Sequence, residues 1–286
     1  MPRDLRDDTT LHADPERPGR FHAHIPDAWK VVYIFGGVSM YAALRAMEQQ
    51  LGRDDLSLVT ANAIFLAPVP PGPITIDVDI LRDGRRASQV AADLRVPNVD
   101  APALRVHGVF GAAHDTEHTH QEVRFPEVPG PADIEVPPER PNPFGQINFH
   151  EQTEWRPASP LDDPGKGHFL SWVRLRETEP HLLSLAVHGD VLGPAVGRAL
   201  GPPDERGMFM VLSLEIGIRF VRAPTTAWVL QEIEAWHIGD GYATGPARLW
   251  DEDGNLCAIA TQTAHLRRHI PASARPEPRR PDPSTG

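Results

Sequence analysis

The sequence predicts an α+β protein built from two similar units, each a long buried helix followed by an antiparallel meander of strands that curls around it. Three observations carry this. An amphipathic stripe runs from Gly36 to Leu51, four strand-like runs separated by tight-turn signals follow it, and the same order of elements returns about 155 residues later. A repeat of that period is too long for a solenoid and reads as a duplicated domain.

In the first unit, Val38, Tyr41, Leu44, Met47 and Leu51 recur every three or four residues, the spacing that puts apolar side chains on one helical face. Strand-like runs follow at 56–66, 74–81, 87–96 and 103–112. Arg82-Asp83-Gly84-Arg85 lies between the second and third, and Asp-Gly readily takes the positive φ angles of a two-residue hairpin turn. In the second unit the helix falls at 182–200, bent or split by Gly189, Gly193 and Pro194, with strands at 210–220, 227–238, 242–250 and 256–266. Strict alternation places Leu214, Ile216, Ile218 and Phe220 on the buried face of the strand and Glu215, Gly217 and Arg219 on the other. Between the units, His114 to Phe144 has no sustained period and is crowded with proline and acidic residues, the pattern of a linker. The expected boundaries are 1–115 for the first unit, 116–145 for the linker, 146–268 for the second unit and 269–286 for a disordered tail.

Of the 286 residues, 28 are Lys or Arg and 39 Asp or Glu, a formal charge of −11. That field is unsuited to a nucleic-acid or anionic-membrane partner, so any anionic ligand must be met by a local cluster of arginines. The single cysteine, Cys257, allows no internal disulfide and fits a reducing compartment. No apolar run approaches the roughly 18 residues of a membrane span, and the reading is a cytosolic protein with no membrane insertion.

Phe35-Gly36-Gly37 opening the first helix, Phe65-Leu66-Ala67-Pro68, Leu81-Arg82-Asp83-Gly84, Phe220-Val221-Arg222-Ala223-Pro224 and Ala260-Thr261-Gln262 occur in an order and spacing that together resemble the acyl-CoA thioesterase II group. These are double-hotdog proteins, in which two helix-in-sheet units on one chain form a pseudo-dimer. The resemblance implies hydrolysis of acyl-CoA, or of a related acyl-carrier thioester, without cofactor or metal. It leaves open a homodimer, since further assembly is common in the family.

The family positions a water with an Asp, a Ser or Thr and a Gln of its second hotdog. Carried over by the motifs, the Asp position falls on Glu215, the Gln on Gln262 and the Ser or Thr on Trp236, the last a clear departure. A carboxylate and an amide suffice in principle, because hydrolysis needs an oriented water, an acceptor for its proton and donors for the oxyanion. The thiol leaves at a pKa near about 8.5 and needs little acid help. Gly36 and Gly37, at a helix start, are candidate oxyanion donors. Asp190 resembles an Asp of related proteins, or caps the helix restarting after Gly189. Asn62 stands where some relatives carry His and cannot act as a base. Arg82, Arg85 and Arg222 are candidates for the phosphates of CoA, and Arg267 with Arg268 form a further pair.

Two alternatives stay open at this stage. One is a hotdog hydratase or dehydratase on enoyl thioesters, which needs an Asp and His pair at the helix mouth. The other is an acyl-thioester binding protein without catalysis, favoured by Trp236. The histidines of the linker (His114, His118 and His120, with Glu117 and Glu122) read as a solvated segment and not as a zinc site. Gly37-Val38-Ser39-Met40-Tyr41 lacks the final glycine of a nucleophile elbow.

Overall fold

A computed structural model describes residues 1–114, 118–135, 147–160, 165–201 and 208–269. The expected tail from residue 270 onward, Glu117 and the linker residues 136–146 lie outside the described residues.

The first unit comprises α1 (Leu5–Asp8), β1 (His12–Ala13), β2 (Arg20–Ile25), α2 (Gly36–Leu51), β3 (Ser57–Phe65), β4 (Gly72–Asp83), β5 (Ala87–Arg95) and β6 (Leu104–Gly111). The second comprises α3 (Asn148–Gln152), β7 (Thr153–Pro157), β8 (His168–Leu175), α4 (Leu185–Gly189), α5 (Leu192–Leu200), β9 (Met208–Phe220), β10 (Val229–Glu234), β11 (His237–Gly239), β12 (Tyr242–Asp251) and β13 (Leu256–His269). Helix α2 has the bounds expected from its stripe. It stops where Gly52 takes φ of 60° and returns its N–H to the carbonyl of Glu48, a conformation that costs a residue with a Cβ about 1 kcal/mol or more.

All pairings among the described strands are antiparallel, in the order β1-β2-β4-β5-β6-β3-β9-β13-β12-β10-β8-β7, with β11 beside β12. Read inward from each edge, β2-β4-β5-β6-β3 is matched by β8-β10-β12-β13-β9. The two curled sheets of the double hotdog therefore join edge to edge through β3 and β9, and neither of these long strands presents an open edge for aggregation. In that seam Asn62 lies opposite Gly217, flanked by Thr60 opposite Arg219 and Ile64 opposite Glu215. Matching Phe65 to Phe220 puts Asn62 on Gly217, its own partner, so the pseudo-twofold axis passes between them.

The concave side holds the main core. Helix α2 buries Val38, Met40, Tyr41, Leu44 and Met47 against β4, β5, β6 and α4, each side chain stabilising the fold by about 1.5–3 kcal/mol relative to exposure. Residues 3–9 tie the units together: Arg3 N–H donates to Oε1 of Gln152 and Leu5 N–H to Oγ1 of Thr178, while within the first unit the indole of Trp29 donates to Oδ2 of Asp8.

The second helix is split as expected after Gly189, where α4 ends, and α5 begins at Leu192. Three features depart from the sequence-based expectation. The strand expected at 227–238 breaks after Glu234 and resumes as β11. Strands β1, β2, β7 and β8 and helices α1 and α3 are additional to the expected elements; β1, β7, α1 and α3 are too short to show a period, whereas β2 does alternate, burying Phe21, Ala23 and Ile25. The described part of the linker is not wholly solvated: Val123, Phe125, Val128 and Ile134 cover a second apolar cluster of Leu170, Trp172, Leu230, Trp250 and Leu256 on the outer face of the sheet. Phe125 meets Trp250 edge-on at 5.7 Å, and the indole of Trp172 donates to the carbonyl of Pro129. Burying those two indoles outweighs the lack of regular structure.

Candidate active site

The carboxylate of Asp190 stands at the break between α4 and α5 and is almost fully buried. Its Oδ2 accepts the backbone N–H of Gly37 at 3.0 Å, in the first turn of α2. Its Oδ1 accepts the hydroxyl of Ser213 at 2.6 Å and the amide of Gln262 at 2.9 Å. The same amide nitrogen also donates to Oγ of Ser213 at 2.8 Å, while Oε1 of Gln262 accepts the N–H of Leu192 at 2.9 Å. Since a backbone N–H can only donate, that last bond fixes the amide orientation and turns the NH2 toward Asp190 and Ser213. Every member of this network is satisfied, as a buried polar cluster requires.

Burial pushes the pKa of Asp190 up, opposed by the bonds from Ser213, Gly37 and Gln262. All three partners are neutral donors, and the positive end of the 16-residue helix α2 supplies partial charge in place of a cation. Gly36 and Gly37 permit the approach. A Cβ on Gly36 would come within 2.6 Å of Oδ2 of Asp190 and 2.9 Å of the Phe65 ring, and one on Gly37 within 2.7 Å of the carbonyl of Ala186. Oδ2 of Asp190 and the ring of Phe65 both pack against the bare Cα of Gly36.

Sequence reasoning selected Gln262, Gly36, Gly37 and Asp190, and the structure brings all four together. The role expected for Gly37 changes, because its N–H is engaged by the carboxylate instead of standing ready for an oxyanion. Asp190 does cap a helix, but it caps α2 of the other unit; the residue before α5 is Val191, which offers no side-chain cap.

Glu215 is not brought to Gln262. The register of β9 against β13 pairs Ile216 with Gln262, then Glu215 with Thr263, then Ser213 with Ala264, leaving Leu214 as a bulge. Gln262 follows its partner Ile216 to the buried face, whereas Glu215 points to the opposite face of the sheet and accepts a hydrogen bond from Nδ2 of Asn62. The bulge reverses the alternation N-terminal to it: Ser213 turns inward and Leu214 is 37% exposed, the inverse of the simple two-residue period. Ser213, which the alternation rule places outward, brings a hydroxyl to Asp190 and Gln262, as Trp236 does not. Trp236 itself is 66% exposed, follows the break after Glu234 and donates its indole N–H to Oε2 of that glutamate, away from Asp190.

Neither Asn62, on the outer face at the pseudo-twofold, nor the arginines reach the network. Arg82 and Arg85 belong to the β4–β5 turn, which Arg53 anchors through Asp83 and the carbonyl of Arg85. That turn is at the C-terminal end of α2, about 20 Å along the helix from Gly37. Arg222 lies beyond the far end of β9 and bonds Asn255.

The first unit has no matching network. By the same strand registers, Ser213 corresponds to Leu58 and Gln262 to Gly108. Leu58 and the sulfur of Met47 close over Gly108, 3.3 and 3.4 Å from the point a Cβ would occupy. The single network faces inward at the junction of the two units.

Residues 25–111 match the family model of the acyl-CoA thioesterase N-terminal domain, and residues 128–266 that of the acyl-CoA thioesterase C-terminal domain. The chain belongs to the acyl-CoA thioesterase family of two-hotdog proteins. Among solved structures, a conserved hotdog-fold protein from Alicyclobacillus acidocaldarius is 21% identical with a TM-score of 0.79, covering 93% of this chain and 98% of its own. A protein from Novosphingobium aromaticivorans, provisionally assigned as a thioesterase, is 25% identical with a TM-score of 0.77, covering 89% and 100%. An acyl-CoA thioesterase II from Mycobacterium marinum is 19% identical with a TM-score of 0.73, covering 93% and 98%. Comparison with curated proteins gives no significant match. Among the described residues no helix is long and apolar enough to cross a membrane.

Proposed function

We propose that this protein hydrolyses acyl-CoA, or an equivalent acyl-carrier thioester, to the free acid and thiol, with Asp190 as the general base. The observation that carries the proposal is the fixed carboxylate, held by Gly37, Ser213 and Gln262, with Oδ2 facing the side-chain-free Gly36. A water that reaches the carboxylate donates to Asp190 and attacks the thioester carbonyl carbon as its proton passes to the carboxylate. The backbone N–H of Gly36, at the start of α2, stabilises the oxyanion, since those of Gly37, Val38 and Ser39 donate to Asp190 and to the carbonyl of Phe35. Collapse of the tetrahedral intermediate breaks the carbon–sulfur bond and releases a thiolate whose conjugate acid has a pKa near about 8.5. The proton held by Asp190 then returns to bulk solvent. Ser213 and Gln262 act as positioning residues that keep the carboxylate in one rotamer. Arg267 and Arg268, five and six positions beyond Gln262 on β13, are the nearer candidates for the CoA phosphates.

The deciding experiment is release of free thiol from a panel of acyl-CoAs, in the wild type and in Asp190→Asn. Release that disappears in the variant supports the reading. Saturable binding of acyl-CoA with no turnover by the wild type overturns it in favour of a binding protein, and water addition to an enoyl-CoA without thiol release overturns it in favour of a hydratase.

A further inference from the structure

We infer that two copies of this chain associate through the outer edge of β4, residues 79–82 of each pairing antiparallel with the same residues of the other about a twofold axis at Ile80. An asymmetry between the units leaves that edge free. In the second unit β8 pairs with all six residues of β10, Val229 to Glu234. In the first, β4 runs for twelve residues but β2 pairs only with Gly72 to Asp77. Beyond Val78, whose N–H donates to the carbonyl of Gly19, no strand among the described residues lies against that edge. Residues 79–83 are all exposed, Ile80 by 39% and Leu81 by 61%. An open strand edge that also exposes apolar side chains is a template for another strand.

Three features fit this edge to a second copy of itself. The first is the direction of the backbone. Val78 turns its N–H toward the β2 side, and the two-residue period of a strand turns the N–H and C=O of Ile80 the same way. Two Ile80 residues related by a twofold axis can exchange both backbone bonds, and a self-complementary contact of this kind closes at two copies. The second is charge. Along β5, Asp79 pairs with Ala91, Ile80 with Val90 and Arg82 with Gln89, so Leu81 is an extra residue and Arg82 stands one ladder position from Ile80. Asp79 stands one position away on the other side, and Ala91 and Gln89 place both charges on the same face. With the axis at Ile80, Asp79 of each copy faces Arg82 of the other, giving two opposite-charge pairs. Neither side chain has a hydrogen bond or ion pair of its own among the described residues. A foreign acidic strand would satisfy Arg82 and repel Asp79, whereas a second copy satisfies both. The third is apolar contact: Ile80 continues the inner row of Ile74, Ile76 and Val78, so the two Ile80 side chains meet on the concave face and shield each other from water.

A contact this short is smaller than a standard interface, so the dimer is expected to be weak, with Kd on the order of tens of micromolar. Sedimentation velocity of the whole chain from about 1 to about 500 µM reads the association directly. Asp79→Arg or Arg82→Asp, each placing like charges opposite one another, should weaken it about tenfold or more, and the two together should restore it. Ile80→Lys should leave a monomer with an unchanged thermal melt. Should Ile80→Lys not fold, the charge exchange decides the question. A wild type that stays monomeric at the highest concentration overturns the proposal and leaves the edge to a different occupant or to none. A dimer that neither single reversal weakens, or that the double exchange does not restore, forms through another face and overturns it as well. None of these measurements reads activity, so their outcome stands apart from the hydrolytic reading.

Discussion

The backbone N–H of Gly37 and Oδ2 of Asp190 lie 3.0 Å apart and 153 residues apart in sequence, one from each repeat. A single hydrogen bond thus ties the start of the first unit's central helix to the break in the second unit's helix. The carboxylate loses most of its hydration there, and three neutral donors and a helix terminus substitute for it.

Asp190→Asn keeps the volume but removes the acceptor for a proton. It is expected to lower kcat for thiol release by about 10²–10⁴, with little change in the binding of an S-alkyl-CoA thioether. Steady-state kinetics with calorimetry on the same protein checks both halves.

The raised pKa of Asp190 fixes two pH dependences. Thiol release should climb with pH through a value above the ordinary Asp range near about 3.9, since the base works ionised. Stability should move the other way. A carboxylate whose folded pKa exceeds its unfolded value binds more protons when folded, so its contribution falls as pH rises from the unfolded pKa through the folded one. The difference in unfolding free energy between wild type and Asp190→Asn, from urea melts at pH 4 to 7, should therefore decline with pH and then level. A rising difference would contradict the buried, desolvated carboxylate.

Glu215→Gln and Ser213→Ala form a discriminating pair. Ser213→Ala removes a donor from Asp190 and an acceptor from Gln262 and should cost about tenfold or more in kcat/KM, whereas Glu215→Gln acts on the far face of the sheet and should change it less than threefold. The reverse ranking would return the catalytic role to Glu215.

Gly36→Ala places a methyl within 2.6 Å of the Asp190 carboxylate and 2.9 Å of Phe65. Turnover should fall by about 10² or more as the methyl displaces the carboxylate from its hydrogen bonds, with a smaller loss in melting temperature. Gly52→Ala is the control for the helix itself: it strains the left-handed stop of α2, about 20 Å from the site, and should reduce stability with little effect on kcat.

Phe125→Ala tests the packed linker. Deleting the ring between Trp172 and Trp250 should destabilise the chain by about 2–4 kcal/mol and change tryptophan fluorescence. A freely solvated segment would give neither effect.

The repeat, the helix over 36–51 and most of the strand order were legible because they are written in local periods, 3.6 for α2 and 2.0 for the strands, with Asp-Gly pairs marking the turns. Gln262 and the two glycines were legible because an isolated polar group in an apolar strand, or two glycines at a helix start, stand out against those periods. What the chain order alone left undecided was which residues meet. Leu214, one extra residue in β9, reverses the alternation N-terminal to it, so Ser213 joins Gln262 while Glu215 keeps the outer face that the simple period gives it; a bulge is a property of two paired strands and leaves no mark in one of them. Asp190 could be seen as a helix cap, but which helix it caps depended on the seam of β3 and β9 bringing α2 across. Local sequence determined the central helix and the main strands of each unit, and the long-range register of antiparallel strands decided the site, because the face a strand residue occupies is fixed by its partner.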